Sequence, residues 1–423
     1  MRAGTVLCVI LAAAIPAGTA GGNAAGGTKS AESRKQSLGD VETLAQGNAA
    51  FGLDLYKELS SREGNLSFSP YSISLALGMT YAAARENTAN EMAKTLHFSL
   101  SQEKLHPAFF QLQTRLYEIE QRGNVVLDVA NALWPQRGHP FLKEYMVLLR
   151  KHYAVFVRAV DYETDAGRET ARRVINTWVS DKTKGKLTEL IQPEYLQQDT
   201  RLVLTNAIYF SGRWRYQFDS KDTNDAPFHL SPEKSVQAPT MHQKRQFRYT
   251  ETEVLQIVEL PYRAGEISML VLLPKKIDGL KETEASLSVE NLRQWRDQLK
   301  PREVAVHLPK FTMTLGVPLK EVLEKMGTVE AFKPGAANFA GMDGSNWFYI
   351  SEVIHKAFID VDEEGTEAAT ASGAYVGMIG SPPPPAVFRA DHPFLFLIQE
   401  NRTGAILFLG RVTDPTGAVA KGD

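Results

Sequence analysis

The sequence predicts an α+β fold in one large domain, and three observations carry that prediction. Apolar residues fall at helical spacing in some stretches and alternate in others, and the two kinds follow one another without strict alternation. A doubly wound parallel sheet would need strands and helices to take turns, so a mixed α+β arrangement fits better. The chain has 423 residues, 43% hydrophobic and 23% charged, with net charge -2. That composition is soluble and globular, the length buries a large core, and the near-neutral balance lends no support to a nucleic-acid or other polyanionic partner.

Taken in order, the chain opens on a targeting pattern. Arg2 supplies the positive end, an apolar run covers 6–15, and Gly18-Thr19-Ala20 offers small residues for cleavage. Residues 1–20 are therefore expected to be a secretory signal peptide, too short to span a bilayer as a mature helix. Such a leader predicts a secreted, extracellular protein, periplasmic if the source is bacterial. Cys8, the only cysteine, lies inside it, so the mature chain would hold no thiol and no disulfide. Cysteine nucleophiles and cysteine metal sites are excluded, and the domain must rely on its core. Residues 21–40, rich in Gly, Ala, Ser and charge, are expected to be a disordered linker. Residues 41–416 then form a single domain and 417–423 a C-terminal tail.

Within the domain, Val125, Leu127 and Val129 alternate as a strand does. Ala171, Val174, Ile175, Trp178 and Val179 form a helical stripe with Gly185 beyond it as a stop. Ile267 to Leu273 is a continuous apolar run ended by Pro274, and Arg263-Ala264-Gly265-Glu266 before it suits a hairpin turn. Val304, Val306 and Leu308 alternate. Leu319, Val322, Leu323 and Met326 return to helical spacing between Pro318 and Gly327. Two apolar runs, 394–398 and 405–409, close the domain. Lys244, Arg245 and Arg248 make a small basic cluster, most simply a solvated face. Asn65 and Asn401 head glycosylation sequons, of which Asn65 lies in an apolar stretch.

The segment Glu363-Glu364-Gly365-Thr366-Glu367-Ala368-Ala369-Thr370-Ala371-Ser372 stands apart. It is polar and small, with no proline. Alternate residues from Thr366 (Thr366, Ala368, Thr370, Ser372, Ala374, Val376) would share one face of a strand, and every one is small. The stretch reads either as a surface linker or as a loop able to become a strand. Its strand-capable part must end before Pro382, because the four prolines from there cannot donate to a ladder.

Motifs for catalysis are missing. The chain has no G-x-S-x-G elbow, H-E-x-x-H, phosphate loop or dinucleotide fingerprint, and none of the nine histidines pairs with another at metal-ligand spacing. Glu363 and Glu364 would point to opposite sides of an extended chain, which is poor geometry for an acid–base pair. No catalytic residue, metal or cofactor is assigned.

Six further stretches, in order, resemble the serpins. They are Asn65-Leu66-Ser67-Phe68-Ser69-Pro70-Tyr71-Ser72-Ile73; Asn176-Thr177-Trp178-Val179 with Thr183, Gly185 and Ile191; Thr205-Asn206-Ala207-Ile208-Tyr209-Phe210 through Trp214; Pro309-Lys310-Phe311; His355-Lys356-Ala357 followed by the 363–369 hinge; and Phe388-Arg389-Ala390-Asp391-His392-Pro393-Phe394. The resemblance covers residues 48–415. It implies a fold of three β-sheets with about eight or nine helices and an exposed reactive-centre loop. It also implies a metastable monomer that inhibits serine proteases by a suicide route. The protease attacks the loop as bait, becomes an acyl-enzyme, and is carried away as the cut loop inserts into the large sheet. The implied target is elastase-, subtilisin- or chymotrypsin-like, with cysteine proteases a further class; no cofactor is implied. By the same match, Gly365 to Ser372 is the inserting hinge, Ser69, Ser72, Asn206 and His355 form the shutter where the sheet parts, and Trp214 marks the breach. Counting from the hinge puts the cut at Ile379–Gly380, with Met378–Ile379 as fallback. The loop is about three residues longer than usual for the family, within the proline run, and counting back from Pro393 would instead put the cut near Pro382. Glu86 departs from the family, which usually has glycine there. The alternative function is a non-inhibitory carrier or chaperone, whose hinge tends to hold bulky, charged or proline residues.

Overall fold

A computed structural model describes residues 25–122, 125–153, 155–363 and 384–417, without the side chains of 25–37, 128–130, 206–209, 315 and 317. In chain order the elements are α1 (Ala25–Leu59), β1 (Leu66–Phe68), α2 (Pro70–Tyr81), α3 (Glu86–Thr95), α4 (Gln102–Gln121), β2 (Val125–Pro135), α5 (Lys143–His152), β3 (Phe156–Val157), α6 (Asp165–Lys182) and β4 (Leu202–Gly212). Then come β5 (Asn224–Ser231), β6 (Lys234–Glu251), β7 (Leu255–Pro261), β8 (Ile267–Pro274), α7 (Leu280–Ala285), α8 (Val289–Gln298), β9 (Lys300–Pro309), β10 (Phe311–Pro318) and α9 (Lys320–Lys325). The last are α10 (Ala340–Asp343), β11 (Glu352–Val361), β12 (Ala386–Arg389), β13 (Phe394–Glu400) and β14 (Ile406–Val412). The expected α+β class holds, as do the helices read around 171–179 and 319–326 and the strands read at 125–129, 267–273 and 304–308.

Residues Met1–Gly39 make one unit and Asp40–Asp423 another. The stretch 21–40, expected to be a disordered linker, is helical from Ala25 onward, since α1 begins there. Residues 28–38 contain no proline or glycine and several good helix formers. Extending a helix that already exists needs no new nucleus. The helix's second half contributes Val41, Leu44, Phe51 and Leu55 to the core.

Among the described residues, two sheets organise the second unit. One has five strands in the order β10-β11-β4-β2-β3; the other has nine, in the order β1-β14-β13-β8-β7-β6-β9-β12 with β5 also on β6. The three sheets expected from the resemblance thus appear as two hydrogen-bonded ladders. The reason is β6: its 18 residues pair with β5 and β9 along most of their length and with β7 at the far end, so one strand serves two regions.

Alternation along the five-stranded sheet sends side chains to opposite faces. Leu204, Phe210, Val353, Ala357 and Ile359 join the large core that contains α2 and the nine-stranded sheet. Trp134, Val203, Ile354 and Phe358 join a smaller core under α6 with Ile175, Val179 and Ile191. α2 is mostly apolar and buried at all 12 positions, as a helix inside a large core should be. Its start is fixed by Pro70 in the first turn and by Ser69, whose Oγ accepts the Ser72 N–H at 3.1 Å. Among the described residues, no helix is long and apolar enough to cross a membrane.

Candidate functional site

The site begins as a question of strand direction. β11 pairs parallel with β4 over eight positions, from Glu352 opposite Val203 to Ile359 opposite Phe210. Their outer neighbours are antiparallel: β10 to β11 and β2 to β4. Parallel pairing is slightly weaker per residue than antiparallel. Two parallel strands have a further property. A strand laid between them in reverse would be antiparallel to both. The chain that leaves β11 at Val361 would run in that direction if it folded straight back.

Polar groups are buried under this seam. His355 of β11 and Ser69 and Ser72 at the head of α2 are all 0% exposed. The Ser69 N–H donates to His355 Nε2 at 3.1 Å. Nε2 must therefore carry the lone pair, which places the ring proton on Nδ1. Burial pushes the His355 pKa down to about 3, so the ring stays neutral and keeps its acceptor. The structure thus brings together three of the four residues assigned to the shutter. The fourth, Asn206, stands opposite His355 in the β4–β11 register, and its side chain lies outside the described residues.

The far end of the seam is pinned. Trp214 is 5% exposed and stacks on Tyr262, with ring centroids 4.6 Å apart and planes 9° from parallel. Its indole Nε1 donates to the carbonyl of Asp362 at 2.9 Å. The next residue, Glu363, is held harder still. Its Oε1 accepts from Thr223 Oγ1 at 2.8 Å and its Oε2 lies 2.5 Å from Lys310 Nζ. Burial would raise the Glu363 pKa, but the hydrogen bonds from Lys310 and Thr223 and the Lys310 charge outweigh it and hold the carboxyl below its usual range. In the sequence Glu363 belongs to the polar hinge stretch, beside Glu364, and Lys310 to a separate motif. Their pairing across 53 positions (363 − 310) left no local signal.

The outer face of the seam is strapped. Asn176 of α6 accepts the N–H groups of Leu190 and Ile191 with Oδ1 (2.9 and 2.8 Å) and donates to the Ile191 carbonyl at 3.0 Å. Thr183 Oγ1 donates to the Val179 carbonyl at 2.8 Å and accepts the Leu187 N–H at 3.2 Å. This gives Asn176 and Thr183 a physical role: they bind the 187–191 loop to α6. Lys356 then reaches out of β11 to the Glu189 carbonyl at 2.6 Å, tying the seam to that loop. Burial lowers the Lys356 pKa while Glu189 pulls the other way.

Gly365, Thr366, Glu367, Ala368, Ala369, Thr370, Ala371 and Ser372, and Met378, Ile379 and Gly380, all lie outside the described residues. The chain resumes at Pro384 and enters β12, which lies parallel to β9 from Ala386 opposite Val304 to Arg389 opposite His307. The basic cluster resolves into separate contacts: Lys244 with Glu303 at 3.4 Å, Arg248 with Glu259 at 2.8 Å, and Arg245 over the Tyr216 ring. Both sequon asparagines use their amide nitrogens in hydrogen bonds, Asn65 to the Asp414 carbonyl and Asn401 to the Gly265 carbonyl and Ser268 Oγ. No group of three or more metal-ligating side chains occurs among the described residues.

Glu86, the departure from the family pattern, has a positive φ of 50°. Glycine adopts that backbone freely and other residues do so at a cost. The usual glycine is thus explained by geometry, and this chain carries the strain.

Comparison with known proteins agrees with this architecture. Residues 46–415 match the family described as Serpin (serine protease inhibitor). The leukocyte elastase inhibitor of Xenopus laevis is 40% identical over 385 residues, covering 89% of this chain and all of the relative. The human leukocyte elastase inhibitor is 39% identical with the same coverage, and human serpin B4 is 35% identical. Uncleaved ovalbumin superposes with a TM-score of 0.79 at 29% identity, covering 88% of this chain and all of ovalbumin. Serpin48 of Tenebrio molitor superposes with a TM-score of 0.75 at 32% identity, covering 88% and 98%. With its parallel seam, its buried Ser69–His355 contact and its Trp214 anchor in place, the chain belongs to the serpin family of serine protease inhibitors.

Proposed function

We propose that this chain is a suicide-type inhibitor of serine proteases and acts as a secreted monomer. The observation that carries the proposal is the β4–β11 junction: a parallel pair whose reverse-running neighbour would be supplied by the chain leaving β11. The small alternate side chains from Thr366 suit insertion there. A protease serine Oγ attacks the carbonyl carbon of Ile379, the Ile379–Gly380 bond breaks, and Gly380 leaves as the new amine. The acyl-enzyme ester stays on the segment that folds back between β4 and β11. Antiparallel pairing on both sides then supplies the ladder bonds that draw the protease along. The inhibitor needs no catalytic residue of its own, because the chemistry is the protease's.

Ile379 is apolar and β-branched. A pocket built around a buried acid for Arg or Lys would be left unpaired by it. Elastase-, subtilisin- and chymotrypsin-like pockets suit it, and the naming of several relatives as leukocyte elastase inhibitors supports the first of these. Secretion is supported by the apolar run at 6–15 behind Arg2.

The test is incubation with an elastase-like and a subtilisin-like protease, read on a denaturing gel. A complex stable to detergent is expected, with a released peptide beginning at Gly380 by mass spectrometry. Cleavage without complex would replace inhibition by the carrier or chaperone function. A peptide beginning after Arg389 would overturn the cut site. Chain recovered from the growth medium should lack residues 1–20; chain retained in the cell with its leader intact would overturn secretion.

A further inference from the structure

Three basic side chains cross the edge of the nine-stranded sheet in a row. His242 of β6 is opposite His307 of β9, and His307 is opposite Arg389 of β12. Residues directly opposite share a face. The two imidazoles stack with centroids 4.4 Å apart and planes 35° from parallel. β12 has four residues, and among the described residues its only ladder partner is β9. Two further bonds assist: Gln256 Nε2 to the Val387 carbonyl at 3.1 Å, and the Ala390 N–H to the His307 carbonyl at 2.9 Å. β12 is also the first described strand after residue 383.

We propose that this row is an acid-sensitive latch: a proton on His307, set between His242 and Arg389, weakens the β9–β12 ladder and loosens the chain after residue 383.

The surrounding charges favour this outcome. On β6 the next charged residue of this face is Lys244, already paired with Glu303 of β9 at 3.4 Å. Among the described residues the acid that acts on His307 is Asp391, beyond β12, whose Oδ1 is engaged with His392 Nδ1 at 2.8 Å. A proton on His307 puts a positive ring opposite the Arg389 guanidinium of β12, and like charges across a ladder repel. Burial first, then Arg389 and His242, hold the His307 pKa down to about 4, with Asp391 pulling the other way. Detaching β12 removes Arg389 and opens the ring to water, so the detached form takes up a proton more readily. Attachment is therefore full above about 6.5, the ordinary histidine value, and is lost as pH falls towards 4. That gap sets a ceiling of a few hundredfold; because His307 is half-buried and Arg389 exposed, solvent screening leaves roughly tenfold.

The attachment of β12 is independent of the function proposed above, and the experiment reads attachment alone. Amide hydrogen exchange of the full chain is followed at pH 7.5 and 5.0, corrected for intrinsic rates. Protection at Val387 to Ala390 should fall about tenfold on acidification, while β13 stays unchanged. His307→Gln should abolish the fall, and Arg389→Gln should reduce it. Equal protection at both pH values would overturn the latch. So would an undiminished fall in His307→Gln, or an equal fall in β13.

Discussion

β13 and β14 in the nine-stranded sheet are buried at every position, and β13 lies antiparallel between β14 and β8. β11 and β4 in the five-stranded sheet meet in parallel, over buried His355 and Ser69, with Lys356 leaving the seam for a loop carbonyl. Both pairs sit on the same large core. The difference lies in what else each pair could accept. Around β13 every ladder is of the stronger antiparallel kind, Phe394 to Ile398 are apolar and Glu400 at its end is held by Arg115 and Thr403, so any intruding strand would have to break bonds better than those it makes. At the β4–β11 junction an intruding strand would replace one parallel ladder by two antiparallel ones. The polar groups beneath are hydrogen-bonded to one another, Ser69 to both His355 and Ser72. The two sheets thus differ in kind: β13 is antiparallel to both its neighbours, whereas β4 and β11 meet in parallel.

The comparison can be broken most sharply at Thr366. Thr366→Arg would drive a charged side chain into the seam first, at a cost of several kcal/mol. Cleavage should continue while trapped complex falls at least about tenfold, and Glu367→Arg, on the other face, should trap far better. Undiminished trapping by Thr366→Arg would sink the insertion mechanism. Cleavage of the loop in the parent should raise the melting temperature by tens of degrees, as a new central strand would. Identical melting of cut and uncut chain would mean that the five-stranded sheet is as complete as the other.

His355 gives a graded probe of the seam. Its native pKa lies near 3 against an ordinary 6.5, so the unfolded chain takes up a proton that the native one refuses. This contribution to stability is whole above about 6.5 and drains as pH falls towards 3. Between pH 7 and 4.5 the parent should lose roughly 2–3 kcal/mol more than His355→Gln, read from denaturant midpoints. Parallel pH profiles for the two would show that the ring is not held neutral. Trp214→Phe keeps the stack on Tyr262 but drops the bond to the Asp362 carbonyl; about 1 kcal/mol, or 2–4 °C of melting temperature, should be lost from the uncut chain. An unshifted melting curve would show the anchor to be idle. Glu86→Gly is the smallest change and lies away from both sheets. Relief of its positive φ should stabilise by roughly 0.5–1 kcal/mol, and a loss would mean that the bond from Asn338 Nδ2 to Glu86 Oε2 at 3.1 Å outweighs the strain.

Local pattern made much of this fold legible. Runs such as 267–273 and 394–398 announce strands because they are apolar and bounded by turn residues, and α6 shows its stripe and its stop. What local pattern cannot carry is pairing. The Ser69–His355 contact joins positions 286 apart, and family resemblance, rather than periodicity, brought both residues to notice. Glu363 was missed because its partners Thr223 and Lys310 are set by the fold alone. The merging of sheets through β6 was missed because strand length does not say how many partners a strand has. The helical start at Ala25 was missed because composition there fits a linker and a solvated helix equally well. Glu86 was noticed as a departure, but only its φ says why glycine is the easier residue there.

The Lys356–Glu189 contact has a consequence in time rather than in energy. Any strand that parts β11 from β4 must disturb the 187–191 loop, which Asn176 and Thr183 hold to α6 and Lys356 holds to β11. These few bonds lie on the side of the smaller core under α6, and under the proposed insertion they would break as the sheet opens. They therefore act on the barrier and leave the end state untouched. If the proposed insertion holds, how long the five-stranded form persists is a rate, and a handful of hydrogen bonds to a surface loop would set its clock.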